Sequence, residues 1–127
     1  MTPTPEQELA LNRAIWNVDE TNCTPDGNGG YIVHTAKNYT RDLNAIVDVV
    51  QRWCEKQETT CEFTLEFNLL MSESPKFKCS VDIQELYVNA LGEDDYRWQF
   101  IEGRNDEPAL ALCLAFAKAA GLKGEWE

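Results

Sequence analysis

The stretch Asp106-Glu107-Pro108-Ala109-Leu110-Ala111-Leu112-Cys113-Leu114-Ala115-Phe116-Ala117-Lys118-Ala119-Ala120-Gly121 decides the fold. Its alanines and leucines predict one helix. Asp106 is expected at the N-cap, where a carboxylate accepts an orphan backbone N–H. Pro108 suits the first turn, because its missing N–H has no partner there. Gly121 suits the left-handed residue that ends a helix. Leu110, Cys113, Leu114 and Ala117 form one apolar face; Leu112, Ala115, Phe116 and Ala119 form another. A helix apolar on nearly every side is buried on more than one side. The alanines leave room for a sheet to come close. Burying each Leu or Phe contributes ~1.5–3 kcal/mol, enough for this helix to anchor a small domain. It carries no chemistry, and no other stretch supplies a catalytic signature.

The residues before this helix alternate as strands do. In Cys61–Leu69, Phe63, Leu65, Phe67 and Leu69 are expected to point inward, with Glu62, Thr64, Glu66 and Asn68 opposite. Met71–Pro75 is expected to turn the chain. Phe77–Ile83 alternates again, with Phe77, Cys79, Val81 and Ile83 inward. Glu85–Ala90 is a weaker strand, Leu91–Asp95 a turn, and Tyr96–Glu102 the last strand. Short turns between consecutive strands require antiparallel pairing. The polar face, with Glu62, Thr64, Glu66, Ser80 and Asp82, is expected to be partly solvated.

Nearer the start, Thr4, Pro5 and Gln7 spell a capping box with proline in the first turn. That helix is expected to stop near Trp16 and to bury Leu9, Ala10, Ile15 and Trp16. Asn22–Gly30 carries Asp-Gly and Asn-Gly and predicts a hairpin-type turn. It lacks the lysine and serine of a phosphate loop and the spaced carboxylates of a calcium loop. Tyr31–His34 follows as a short strand. A second helix is expected from Arg41 to about Gln57, capped by Thr40. Leu43, Ile46, Val47, Val50, Trp53 and Cys54 make its apolar stripe. The order of elements predicts an α+β domain: an antiparallel sheet of about four to five strands packed between helices, sandwich-like. One domain covers 1–127, with its core at 5–121 and a loose tail at 122–127 that includes Trp126.

Bulk composition narrows the function. The 127 residues are one ordinary domain, and 43% hydrophobic content fills a core. Eleven Lys and Arg against 22 Asp and Glu leave a net charge of −11. Such a surface repels nucleic acid phosphates and anionic membranes and favours basic partners. Five cysteines, Cys23, Cys54, Cys61, Cys79 and Cys113, lack C-x-x-C spacing. With His34 as the single histidine they form no zinc pattern and are expected as reduced cytoplasmic thiols. Met1–Pro5 shows no signal-peptide pattern. No apolar run approaches the ~20 residues that span a membrane. His34 lacks a visible partner for general-base work and is expected on a surface or edge strand.

Thr40-Arg41-Asp42 opening a helix with Ala45 and Val49-Val50, a strand pair, and Glu107-Pro108-Ala109-Leu110-Ala111-Leu112-Cys113-Leu114-Ala115 resemble the small phage ABA-sandwich domain family. Tyr31 stands where that family has an aromatic loop residue. Arg41 replaces its usual Thr, and Ala109–Leu112 departs slightly from its closing-helix motif. The likeness covers roughly residues 9–121. It implies a phage or prophage gene and a three-layer arrangement of helices and sheet. It implies no catalytic residues.

The carboxylates offer two uses. Metal or acid–base chemistry needs them converging in a cleft, and Glu62 and Glu66 lie about 13 Å apart along a strand. An anionic surface needs no cleft. Glu62, Glu66, Asp82, Glu85, Glu93, Asp94, Asp95 and Glu102, with Tyr87 and Tyr96 as aromatic anchors, are therefore the candidate partner-binding residues. Trp98 is a further anchor or a core residue. The expected function is a phage-encoded inhibitor that is not an enzyme. It would bind a basic or nucleic-acid-binding host protein, such as a CRISPR effector, by nucleic acid mimicry. No cofactor, metal, direct nucleic acid or membrane contact is expected; self-association stays open. The alternatives are a module sequestering a nucleotide signal and a phage accessory or structural protein.

Overall fold

The computed structural model describes residues 3–67 and 76–126. The expected turn Met71–Pro75 and the inward placement of Leu69 and the Phe67 side chain lie outside the described residues. The elements run α1 (Pro5–Trp16), β1 (Cys23–Pro25), β2 (Tyr31–Val33), α2 (Leu43–Glu55), β3 (Cys61–Phe67), β4 (Phe77–Val88), β5 (Asp94–Asn105) and α3 (Pro108–Ala119). This is an α+β domain. Its strands divide between two antiparallel sheets, a hairpin β1-β2 and a three-stranded sheet β3-β4-β5. The expected separate strand at Glu85–Ala90 does not form. Residues through Val88 continue β4, because each still pairs with β5 as far as Val88↔Asp94. Asp94 and Asp95 likewise open β5 rather than sit in a turn.

α3 is the centre of the core. All residues from Ala109 to Ala117 are buried. Its N-cap is Glu107, which makes no side-chain cap bond. Asp106 instead accepts the Lys76 backbone N–H at 2.9 Å, tying the helix entry to the start of β4. At the other end Gly121 has φ +68°, and the Leu122 N–H reaches the Ala117 carbonyl at 2.9 Å. That six-to-one bond closes the helix in a Schellman geometry. Trp126, expected loose, is 8% exposed and joins the core. Its indole lies against Gly124, where a side chain would collide with the ring.

One side of the three-stranded sheet meets α3. Cys79 and Val81 are fully buried there, with Phe63, Phe77 and Ile83 beside them. Apolar residues of all three helices join this core cluster. Gly103 of β5 explains how close α3 comes. A Cβ there would sit 2.3 Å from the Ala111 carbonyl and 2.6 Å from the Ala115 amide.

α1 forms the expected capping box: the Gln7 amide donates to Thr4 Oγ1 at 3.2 Å, and the Thr4 amide to Gln7 Oε1 at 2.8 Å. Thr4→Ala should cost ~1 kcal/mol in denaturant unfolding, with no change of fold. Its buried face is Leu11, Asn12 and Ile15; Leu9 and Ala10, expected inside, are exposed. Leu11 and Ile15 are four apart and stack along one face. Asn12 is carried inside by its bonds. Its amide donates to Thr40 Oγ1 at 3.0 Å, and its carbonyl accepts the Thr40 N–H at 3.2 Å. Thr40 is thus a tie to α1, not the cap of α2. Asp42 is that cap, accepting the Ala45 N–H at 3.2 Å.

A second polar tie holds the Asp19 turn to α2. Asp19 is 1% exposed. Its carboxylate accepts the Tyr39 hydroxyl at 2.6 Å, Arg52 Nη2 at 2.6 Å and the Thr21 hydroxyl at 3.0 Å. Burial alone would push its pKa up. The Tyr39 and Thr21 bonds, then the charges of Arg52 and Lys37, outweigh that and hold it below the usual carboxylate range. Tyr39, itself fully buried, is pushed above the ordinary phenol range by burial and by Asp19.

Candidate protein interface

β4 and β5 outlast β3. Cys61, the first residue of β3, pairs with Ile83, and the Gln84 N–H still reaches the Thr60 carbonyl at 2.8 Å; beyond that point β4 pairs with β5 alone among the described residues. Residues 85–97 are therefore a two-stranded arm, with the Gln84↔Trp98 pair at its base. Its turn is pinned by Asn89, whose Oδ1 accepts the Leu91 and Glu93 amides at 2.9 and 3.1 Å. Gly92 supplies φ +78° there.

Strand alternation sorts the side chains of β4 and β5. The pairs Ser80↔Glu102, Asp82↔Phe100, Gln84↔Trp98, Leu86↔Tyr96 and Val88↔Asp94 face away from α3. On this outer face Leu86 (52%), Val88 (67%), Tyr96 (57%), Trp98 (40%) and Phe100 (65%) are exposed. Leu91 adds an 81% exposed side chain at the tip. A contiguous apolar patch rimmed by polar residues is the mark of an interaction surface. Trp and Tyr are the residue types that most often anchor one.

The ten candidate partner-binding residues do not share one surface. Glu62, Glu66, Asp82, Asp94, Tyr96 and Glu102 lie on the outer face; Glu85, Tyr87 and Asp95 lie on the α3 side; Glu93 is in the turn. Several are already occupied. Glu66 and Glu102 approach Lys78 at 3.5 and 3.6 Å, and Glu102 pairs with Arg104 at 3.1 Å. The Arg104 bond, against the opposing effect of desolvation, keeps the Glu102 pKa low, with Lys78 adding to it. Glu85 accepts Arg97 and Gln99, both at 2.9 Å, and the Arg97 bond likewise lowers its pKa. The same guanidinium lies 5.0 Å over the Tyr87 ring, whose hydroxyl approaches Asp95 at 3.4 Å. Asp82 and Ser80, expected to be partly solvated, are each 7% exposed on the central strand and hydrogen-bonded to each other. A central strand is screened by neighbours on both sides, which strand alternation alone does not reveal. Among the described residues Glu62, Glu93, Asp94 and Asp95 lie outside the ion pairs, and Asp94, opposite Val88, and Glu93 in the turn border the apolar patch.

Leu86, Val88 and Phe100 were not among the expected binding residues, and Trp98 was left open between anchor and core. Their signal was present: Tyr96, Trp98 and Phe100 recur at every second position, the same period that was read in Phe63 and Leu65 as core. Which face a helix covers is a long-range fact, so the pattern marks a face without saying what meets it.

Among the described residues no group of three or more His, Cys, Asp or Glu converges on a metal-sized space. His34 is exposed and shares a 2.8 Å hydrogen bond with Thr24 across the β1-β2 hairpin. No helix of the described residues is long and apolar enough to cross a membrane. In comparisons with known proteins, no family model, no curated protein and no solved structure matches this chain.

Proposed function

We propose that this chain is a small binding protein of phage provenance. It docks the outer face of the β4-β5 arm on a basic host protein that handles nucleic acid, for example a CRISPR effector, and inhibits it. The observation that carries this reading is the set Leu86, Val88, Tyr96, Trp98 and Phe100, exposed together on the outer face of β4 and β5, along the arm and at its base. The aromatics supply desolvated anchors. The acids at the rim, with the net charge of −11, steer a cationic surface toward them. Because Lys78, Arg97 and Arg104 neutralise neighbouring acids, the imitation of a phosphate backbone is limited to the Glu93–Asp95 end and Glu62. The phage setting rests on the family resemblance alone.

Tagged protein used as bait in a bacterial lysate freed of nucleic acid tests the proposal. Wild type should retain a basic nucleic-acid-binding protein. Trp98→Ala with Phe100→Ala should lose it by about 30-fold or more, the effect of ~2 kcal/mol at a hot spot. Replacing Glu93, Asp94 and Asp95 by their amides should slow association and flatten the salt dependence. Retention that ignores both sets of changes, or a partner with no basic surface, would refute it.

A further inference from the structure

α2 ends at Glu55 and β3 begins at Cys61, and this short connection folds two thiols onto each other. Cys54 Sγ and Cys61 Sγ are 2.9 Å apart, within roughly 1 Å of a disulfide bond length. Both residues belong to regular elements, so their positions are held by α2 and β3 rather than by the loop. Their access differs. Cys54 is 8% exposed, while Cys61 is partly open to solvent at the edge of β3. The other three cysteines are buried elsewhere: Cys79 and Cys113 are fully covered, and Cys23 lies in the β1-β2 hairpin.

We propose that Cys54 and Cys61 form a thiol–disulfide exchange site that takes small uncharged or cationic disulfides and closes into an internal cross-link between α2 and β3. The partly exposed Cys61 thiolate attacks one sulfur of R–S–S–R. The S–S bond breaks, RS⁻ leaves and takes up a proton, and a mixed disulfide remains on Cys61. The buried Cys54 then gives its proton to solvent and attacks the Cys61 sulfur, expelling the second RS⁻. Two protein thiols and one R–S–S–R thus become one protein disulfide and two R–SH; the protein is oxidised and the small disulfide reduced. Cys54 is placed to be the resolving thiol because nothing larger than its neighbour's sulfur needs to reach it.

The surroundings decide which oxidant is accepted. Glu55 of α2, Glu62 of β3 and Asp82 of β4 all place negative charge near the pair. Burial first, then these acids, raises both thiols above the ordinary cysteine range, while the Cys54 S–H can donate to a Cys61 thiolate and so favours Cys61 ionising first. The exchange is therefore slow at neutral pH and quickens in alkali. A cationic disulfide is drawn to the site, and an anionic one is repelled.

The fully reduced chain, incubated in turn with cystamine, hydroxyethyl disulfide and oxidised glutathione, tests this by intact mass and peptide mapping. Cystamine should remove two hydrogens and give a bond mapped to Cys54–Cys61, reversed by dithiothreitol. At low salt it should react about tenfold faster than oxidised glutathione, with the uncharged reagent between them. Cys54→Ser should stop at an adduct on Cys61. A natively folded wild-type chain that keeps all five thiols would overturn the proposal, as would a bond mapped to any other pair or an adduct of Cys54→Ser on a different cysteine.

Discussion

Gly103→Ala should lower the melting temperature by about 10 °C, the equivalent of ~3 kcal/mol in a domain of this size. The added methyl would stand 2.3 Å from the Ala111 carbonyl oxygen, 2.6 Å from the Ala115 nitrogen and 3.0 Å from Leu114 Cβ. Two of these are backbone atoms, so no side-chain rotation relieves the contact. α3 and β5 must separate instead, which loosens packing along the most buried element of the chain. Most single-methyl overpacking costs ~1–3 kcal/mol, and a backbone obstacle puts this site at the upper end. Thermal unfolding followed by circular dichroism reads the effect. Because the obstacle is main chain, Ala111→Gly or Ala115→Gly in the same molecule should restore none of the loss. A variant that melts with the wild type would mean that α3 does not lie against β5 as described.

Asp19→Ala should cost ~3–5 kcal/mol, the range for removing one partner of a buried charge pair. The side chain is fully enclosed, and its loss strands the Tyr39 hydroxyl and the inner guanidinium nitrogen of Arg52. Arg52 is 27% exposed and keeps its bond to Asp48, which limits the damage on that side. Tyr39 is fully buried and keeps only a long, 3.5 Å contact with Asn22. Chemical denaturation at neutral pH measures the loss. The same carboxylate makes a pH prediction. Its folded pKa lies below the unfolded value near 3.8, so its stabilisation is complete above that value. It disappears as pH falls through the lower, folded pKa. Glu8 acts with the same sign, its pKa lowered chiefly by the Arg41 bond at 2.7 Å. Stability should therefore hold from neutral pH to about pH 5 and fall below pH 4, with a shallower fall in Asp19→Asn. An acid limb unchanged by that substitution would remove Asp19 from the account.

The residues the two experiments probe were unequally visible. The alanines of α3 announced a close approach, but nothing marked Gly103 as the residue approached, because a strand glycine between Glu102 and Arg104 carries no local signature. Asp19 sits in a turn whose sequence gives no hint that Tyr39 and Arg52 will enclose it. The acids fared similarly. Glu62 and Glu66 alternate outward as expected, yet Lys78, which approaches both Glu66 and Glu102, comes from the neighbouring β4 and is set by register. Caps were mixed: Thr4 acts as read, whereas Thr40 and Asp106 spend their oxygens on distant partners while Asp42 and Glu107 take the cap positions.

The amino-acid sequence by itself determined the α+β class, the three helices, the antiparallel hairpins and the apolar helix at the centre. All of these follow from contacts between residues two to four positions apart, where backbone geometry leaves few choices. Only the tertiary structure decided that the strands split into two sheets, that the aromatic side of the β4-β5 arm stays uncovered, and that Cys54 meets Cys61. Those outcomes depend on which layers stack and in which register. Many pairings satisfy the local pattern equally, and only the packing of the whole chain separates them.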